Sequence, residues 1–212
     1  MPRHLQKTLP AFLVLALAYA TAARLVPWLP GYHALYFTPG GYTELLRRQA
    51  AQREVNLTGA ERIAQFRQLL PFWYGTRYGF HGQTAVPGEG RIACGYFVTT
   101  VVQHLGYACE RTKLARLPSE TMIQALVKPK TIRRYSGLSF PEFLEKMKRQ
   151  EPGLYLVGLD THTGFLLHQR GELRFVHASG RFPYCVVNEP AAESVVLRES
   201  RYRVTGRLLA AD

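Results

Sequence analysis

The sequence has no apolar run long enough to cross a lipid bilayer. The longest run, residues 9–23, has 15 residues, whereas a membrane-spanning helix needs about 20. Arg3 and Lys7 precede this run, and an Ala-Thr-Ala triplet at 20–22 fits a small-residue cleavage site. This is the composition of a secretory signal. We therefore predict that residues 1–23 are a signal peptide, with a short N-terminal anchor as the alternative, and that the protein is exported to the periplasm or the extracellular space.

Acidic residues are also scarce. The chain has 15 Asp and Glu against 27 Lys and Arg, which gives a formal net charge of +12 at pH 7. A basic surface of this kind attracts anionic polymers or lipid head groups, although it can also serve only to keep a protein hydrated. No nucleic-acid-binding motif accompanies the charge. We therefore predict an anionic envelope substrate and peripheral membrane contact rather than a nucleic acid.

Cysteine is rare, with only Cys94, Cys109 and Cys185 in the chain. Because disulfides persist in oxidising compartments, Cys109 and Cys185 can pair in an exported chain if Cys94 is kept free. The sequence does not fix the distance between them. Two buried free thiols are an equal alternative.

Cys94 lies at a change of pattern. The stretch 88–93 has two glycines and no periodicity, whereas apolar residues recur after Cys94 at the spacing of one helical face, up to Gly106. We therefore predict a helix over 94–106, whose first-turn N–H groups and dipole favour an anion. A thiolate is such an anion and is the nucleophilic form of cysteine, so this position can lower the pKa of Cys94 toward neutrality. The alternative is a buried cysteine that only fills the inner face of the helix.

The second informative pattern is a predicted β-hairpin, with strands 162–168 and 173–178 and a tight turn between them. Pairing about this turn places His177 diagonal to His162, with both imidazoles on one face and within reach of each other. His168 lies about 20 Å along the strand from His162, so we predict that it takes no part. The three histidines lack carboxylate or cysteine neighbours at metal-ligand spacing, and one hairpin cannot turn all of them around one ion. We predict no metal and no cofactor.

Three motifs in this order resemble the NlpC/P60 family of cysteine peptidases and amidases, over roughly residues 70–182. They are Cys94 with Phe97 and Val98, the stretch His162-Thr-Gly-Phe165, and the stretch Phe175-Val-His-Ala-Ser179. Upstream, the stretch 75–82 is similar to the Gly-Thr-x-Tyr-x-x-Gly-Gly motif of that family. The resemblance implies an α+β fold with a papain-like core, in which Cys94 starts a helix that packs on an antiparallel sheet.

The same resemblance implies roles for the site residues. Cys94 would be the nucleophile, His162 the base, and His177 the group that orients the base. Tyr78 would lie near the nucleophile, where its hydroxyl and the Cys94 N–H would stabilise an oxyanion.

Three positions beside Cys94 depart from the Asp-Cys-Ser-Gly pattern of most members: Ala93, Gly95 and Tyr96. In the murein peptidases of the family that Asp and Ser help to hold the amino end of the substrate. The identity of the substrate of this chain is therefore open.

The remaining segments predict one α+β domain, because helices come first and strands later, without βαβ alternation or a Gly-rich phosphate loop. Helices are predicted at 43–52, 59–70 (ended by Pro71), 118–127 and 141–150, and further strands at 154–159, 185–187, 194–197 and 202–209. We divide the chain into the signal peptide at 1–23, an N-terminal helical extension at 24–69 and a catalytic domain at 70–212.

Four other features have specific expectations. Trp73 and Phe80 are predicted to fill core volume. Asp160 is predicted to cap the turn beside it, with orientation of His162 as the alternative. The basic run 128–134 is predicted to be a solvated face, with a rim for an anionic substrate as the alternative.

These observations predict an exported cysteine hydrolase that cleaves an amide bond in a cell-wall (peptidoglycan) peptide. One alternative is a thiol acyltransferase or lipid amidase of the same fold, whose basic surface would seat a lipid head group. Another is a non-catalytic module that binds the cell envelope, in which Cys94 is buried.

Overall fold

The structure is a computed structural model that describes residues 14–16, 18, 40–53 and 56–211. The predicted signal peptide lies outside the described residues, apart from four positions within its apolar run. Within the described ranges, no helix is long and apolar enough to cross a membrane.

The element order is helices first and a sheet second. The helices are α1 (Gly41–Gln52), α2 (Gly59–Trp73), α3 (Cys94–His104), α4 (Arg111–Ala115), α5 (Ser119–Leu126), α6 (Phe140–Lys148) and α7 (Val195–Glu199). The strands are β1 (Arg77–Tyr78), β2 (Arg91–Ile92), β3 (Arg133–Arg134), β4 (Gly153–Leu159), β5 (Thr163–Gln169), β6 (Glu172–Ala178), β7 (Val186–Pro190) and β8 (Arg203–Ala210). Short 3₁₀ turns lie at Pro129–Thr131 and Ala191–Glu193.

Six strands form one antiparallel sheet in the order β3-β8-β4-β5-β6-β7, and β1 and β2 form a separate parallel pair. Short connections join β4, β5 and β6 as neighbours along the chain, whereas β8 returns from the C-terminus to pair on the other side of β4. Helices that pack on such a sheet make an α+β domain, which confirms the α+β class that the sequence predicted.

Alternation along β4 separates the core into two layers. Leu154 and Leu156 pack with α2 and α3, whereas Tyr155 and Val157 pack on the opposite face with α6. The first layer contains three aromatic rings in sequence, since Phe165 lies 5.0 Å from Phe66 of α2 and 5.9 Å from Phe97 of α3 between ring centroids. These contacts hold α3, and therefore its first residue, at a fixed place on the sheet.

Helix α2 crosses the predicted boundary between the helical extension and the catalytic domain at residue 70. Thr58 and Glu61 form a capping box at its start. Pro71 was predicted to end the helix, and this is wrong, because α2 continues to Trp73. A proline in the last turn removes one hydrogen bond, and Trp73 behind it is fully buried, so burial holds the final turn in place.

Two further predictions of local structure are wrong. The expected strand at 194–197 is the helix α7, because the Ser194 hydroxyl accepts the Leu197 N–H at 3.3 Å and caps a turn whose Leu197 is buried. Phe80 is 77% exposed rather than in the core, since the tight loop after β1 turns its ring outward against His81. Trp73, in contrast, is in the core as predicted.

The basic run 128–134 lies on the surface, as predicted for a solvated face. It forms the 3₁₀ turn Pro129–Thr131 and the edge strand β3, and Lys130, Arg133 and Arg134 are exposed. Arg134 pairs with Glu120. A short edge strand that carries charged side chains protects the sheet against pairing with other chains.

Candidate active site

Cys94 is the first residue of α3, as the sequence predicted. Ala93 before it is extended, with φ −86° and ψ 159°, and makes no side-chain cap. The apolar face of α3 is buried, and Phe97 and Val101 are fully inaccessible. The first-turn N–H groups therefore stay free for a ligand or for the cysteine sulfur.

The Cys94 sulfur is partly enclosed between α3 and the start of β5. Burial raises the pKa of the Cys94 thiol, and the backbone N–H groups of Thr163, Gly95 and Cys94 itself, which face the sulfur, lower it by less. The predicted lowering of the Cys94 pKa toward neutrality is therefore wrong, because desolvation of the thiolate raises the pKa by more than the helix N-terminus lowers it. Cys94 is a thiol at rest near pH 7.

The hairpin of β5 and β6 has the predicted register. Phe165 pairs with Val176, and His168 pairs with Leu173. Arg170 and Gly171 both have positive φ, 52° and 77°, as a two-residue turn that matches the twist of the strands requires.

The two predicted histidines contact each other directly. His162 Nε2 lies 2.8 Å from His177 Nδ1, and His177 is fully buried. On the far side of this ring, His177 Nε2 lies 3.3 Å from an Oε1 of Glu189 in β7. The site is therefore a relay of three groups, and its third member was not predicted.

The sequence would have indicated Glu189 as a site residue if the strand predicted at 185–187 had been extended to residue 189. His177 pairs with Val187 across β6 and β7, so a residue two positions later on β7 is diagonal to His177, the same geometry that relates His162 to His177. The Asn-Glu-Pro sequence was interpreted as a turn, although β7 extends to Pro190.

The relay determines which nitrogen of each imidazole carries the proton. Burial raises the pKa of Glu189, but hydrogen bonds from His177 and Ser194 hold it below its ordinary value, so the ionised carboxylate can only accept. His177 then donates through Nε2–H and accepts at Nδ1, and His162 donates through Nε2–H. The lone pair of His162 is left on Nδ1, the nitrogen that faces away from His177.

Both imidazoles are neutral at rest. Burial, and to a smaller extent the neighbouring His177, lower the pKa of His162 to about 3. Burial also lowers the pKa of His177, and Glu189 opposes this shift without reversing it. The resting site therefore combines a thiol with a neutral base rather than a thiolate with an imidazolium.

Cys94 and His162 line one cleft of about 330 Å³. One wall is the segment 115–119, after α4, and the other is the loop 159–163 before and at the start of β5. The bond from the Thr163 N–H to the sulfur brings the residue next to His162 against Cys94. The predicted nucleophile and base thus share a surface that a substrate can reach.

Tyr78 lies near the nucleophile, as the resemblance implied. Burial raises the pKa of Tyr78, and the charge of a Cys94 thiolate raises it further. The ring lies against Gly180, where a Cβ would be 3.3 Å from it. Tyr78 is half-buried and is not among the residues that line the cleft.

The other two candidates take no part in the relay. His168 is buried on β5, six residues from His162. Asp160 caps a turn, as predicted: its Oδ2 accepts the Ser200 hydroxyl at 2.8 Å and the Arg201 N–H at 2.7 Å.

All three cysteines are free thiols. Cys185 is buried, and Cys109 places its sulfur 3.9 Å from the Thr99 carbonyl oxygen. Of the two alternatives for Cys109 and Cys185, the structure has the free thiols. Within the described ranges, no group of three His, Cys, Asp or Glu side chains could hold a metal ion.

The neutral histidines should make the folded protein sensitive to acid. The pKa values of His162 and His177 lie below the ordinary value of 6.5, so below that pH the unfolded chain binds protons that the folded chain does not. Their contribution to stability is therefore complete above pH 6.5 and is lost as the pH falls toward 3. We expect the free energy of unfolding to decrease by about 1–3 kcal/mol between pH 7 and pH 4.

Urea unfolding at constant ionic strength over this pH range measures the effect. The double variant His162→Gln, His177→Gln removes both imidazoles and should show a much flatter dependence. An equally steep decrease in the double variant would assign the acid sensitivity to other groups.

Comparisons with known proteins return no identification: no family model matches this chain, and no curated protein matches it in sequence.

Proposed function

We propose that this protein is an exported cysteine hydrolase with a papain-like core of the NlpC/P60 kind, and that it cleaves an amide bond in a cell-wall peptide. The observation that carries the proposal is the relay from Glu189 through His177 to His162, which ends at a cleft lined by Cys94. A hydrogen-bonded chain that fixes the tautomer of a base beside a thiol is the arrangement that thiol nucleophiles require.

Each group in the relay has a defined task. His162 Nδ1 removes the Cys94 proton as the sulfur attacks the carbonyl carbon of the substrate. The positive charge that develops on His162 is stabilised through Nε2–H by His177, which is in turn polarised by the Glu189 carboxylate. His162 then gives the proton to the leaving amine, and a thioester to Cys94 remains.

Hydrolysis of the thioester repeats these steps with water. His162 Nδ1 takes a proton from the water as its oxygen attacks the thioester carbon, and the C–S bond breaks. The proton returns to the sulfur, and a carboxylic acid leaves. The raised pKa of the Cys94 thiol means that proton removal accompanies attack rather than preceding it.

The start of α3 supplies the oxyanion site in this mechanism. The N–H groups of Cys94 and Gly95 face the sulfur, and an oxygen attached to the attacked carbon would lie near the same groups. The Tyr78 hydroxyl makes no hydrogen bond to a described residue and is free to add a third donor. Loss of one such donor typically costs about 10²–10³ in turnover.

A thiol acyltransferase or lipid amidase remains the second candidate, because one observation favours it. Phe182 is 82% exposed and Tyr184 is 58% exposed, and the Tyr184 carbonyl accepts the N–H of Tyr78 at 2.7 Å. Aromatic side chains exposed beside a site are suited to contact with acyl chains at a lipid surface.

Product analysis separates these candidates. We expect the purified protein to release peptides or amines from isolated murein fragments, with mass spectrometry as the readout, and Cys94→Ser protein to release none. Release of fatty acid or transfer of an acyl group from lipid vesicles, without any murein product, would favour the second candidate. Absence of both products would favour the non-catalytic envelope module.

A further inference from the structure

Most of the polar side chains that line the Cys94 cleft already form hydrogen bonds within the protein. The Ser119 hydroxyl donates to the Leu159 carbonyl at 3.1 Å, and the Thr163 hydroxyl donates to the Val157 carbonyl at 2.9 Å. These bonds stabilise the two walls of the cleft. They use both hydroxyl protons, so neither hydroxyl can donate a hydrogen bond to an anionic substrate.

The carboxylate of Asp160, which also lines the cleft, accepts several hydrogen bonds from the protein. Asp160 accepts the Ser200 hydroxyl and the Arg201 N–H, and it also accepts the Tyr202 N–H at 3.2 Å. Its charge is therefore balanced by the turn 200–202. No other carboxylate lines this cleft among the described residues, so the cleft offers no free carboxylate to the amino group of a substrate.

Arg116 is the exception among the charged groups. Its side chain is exposed, lines the cleft, and forms no hydrogen bond or ion pair with any described residue. Lys113, one turn earlier on α4, is paired with Glu110 at 3.0 Å. The wall segment thus presents one uncompensated cation beside the nucleophile.

The backbone beneath Arg116 is held rigidly against the nucleophile helix. A Cβ on Gly95 would lie 2.3 Å from the Ala115 carbonyl oxygen, so α4 ends in direct contact with the first turn of α3. Arg111, at the start of α4, also bonds to the Thr100 hydroxyl of α3 at 2.6 Å. The position of Arg116 relative to Cys94 is therefore set by the packing of two helices.

We propose that the substrate carries an anionic oxygen group, a carboxylate or a phosphate, close to the bond that is cleaved, and that Arg116 binds it. A guanidinium pairs with either group through two parallel hydrogen bonds. The proposal rests on the proposed function, since it concerns the substrate of Cys94. It adds a determinant of specificity on the wall segment 115–119 of the cleft.

A pair of alkylating reagents tests this without a known substrate. Iodoacetate and iodoacetamide both react with the Cys94 thiolate by forming an S–C bond and releasing iodide, and only iodoacetate carries a negative charge. The readout is the ratio of the two rates at pH 8.5, followed on the Cys94 peptide by mass spectrometry, because the ratio cancels differences in thiol reactivity. The free thiols Cys109 and Cys185 are followed as internal references.

We expect the iodoacetate-to-iodoacetamide ratio at Cys94 to exceed that of free cysteine. Arg116→Gln should lower it about twofold to fivefold, the range of a solvent-accessible ion pair, and Arg116→Glu should lower it further. Arg116→Lys should keep most of the preference, and Lys113→Gln should keep all of it. High salt should weaken the preference in the unmodified protein.

Two results would overturn the inference in distinguishable ways. A normal iodoacetamide reaction with a ratio equal to that of free cysteine, and unchanged in Arg116→Gln, would exclude an anion site at Arg116 alone. Failure of Cys94 to react with either reagent in the folded protein would overturn the proposed function and this inference with it. Protection of Cys94 against iodoacetate by inorganic phosphate or by acetate, compared at equal ionic strength, identifies which anion the site prefers.

Discussion

Replacement of Cys94 by Ser should lower kcat/KM by about 10³-fold or more while the fold is retained. A hydroxyl is nearly the size of a thiol but a far weaker nucleophile near neutral pH, and a neutral His162 is too weak a base to compensate. His162→Ala should cost a similar factor, since it removes the group that takes and returns the proton. Steady-state kinetics on the product of the murein or lipid screen measure both, and circular dichroism verifies the fold.

The matched control for these variants is His168→Gln. His168 is a buried histidine of β5, and it lies at the opposite end of the strand from the cleft. Its replacement should leave kcat/KM within about twofold of the unmodified protein, the scatter usual for a change away from the chemistry. Complete loss of activity in His168→Gln with an intact fold would mean that a different imidazole performs the proton transfer.

The second large effect is expected at His177, and it should depend on what replaces it. His177 accepts a hydrogen bond from His162 Nε2–H, and an amide oxygen can accept the same bond. His177→Asn or His177→Gln should therefore retain part of the activity that His177→Ala loses, with the Ala variant about 10²–10³-fold below the unmodified protein. The comparison of kcat/KM across the three variants with His162→Ala is the measurement.

Glu189→Gln probes the outer end of the relay. The amide keeps an acceptor for His177 Nε2–H but removes the negative charge. We expect kcat/KM to fall by about tenfold, less than for His177→Ala, because the charge acts on His162 through two hydrogen bonds.

The His177 variants can contradict the relay in two ways. Equal activity in His177→Ala and the unmodified protein would reduce His177 and Glu189 to a structural role. Equal and complete loss in His177→Asn, His177→Gln and His177→Ala would instead give His177 a direct part in proton transfer.

Local sequence patterns were sufficient for the two halves of the site. The register of β5 and β6 followed from alternation along each strand and from a turn at Arg170 and Gly171 that tolerates positive φ. The start of α3 followed from the change between a glycine-containing loop and a helical period. Both patterns lie within short stretches of the sequence, so they can be recognised without knowledge of the tertiary fold.

The remaining features depend on contacts that no local pattern encodes. Glu189 joins the relay only because β7 pairs beside β6, and its Asn-Glu-Pro context is typical of a turn. The raised pKa of Cys94 reflects how deeply packing encloses the sulfur, which the position at a helix N-terminus does not reveal. The segment 194–197 is rich in valine, yet one serine cap and the burial of Leu197 decide in favour of a helix.

The protonated state of Cys94 has a consequence for its resistance to oxidation, which matters for a protein that we propose to be exported. Thiolates rather than thiols attack peroxides and disulfides, so a thiol whose pKa is raised by burial is oxidised slowly. All three cysteines of this chain have raised pKa values, each because of burial. In the proposed exported protein, each free sulfur is therefore held mainly as the thiol, which slows its conversion to sulfenic acid or mixed disulfides, and the small thiolate fraction of Cys94 in the cleft is the form that reacts.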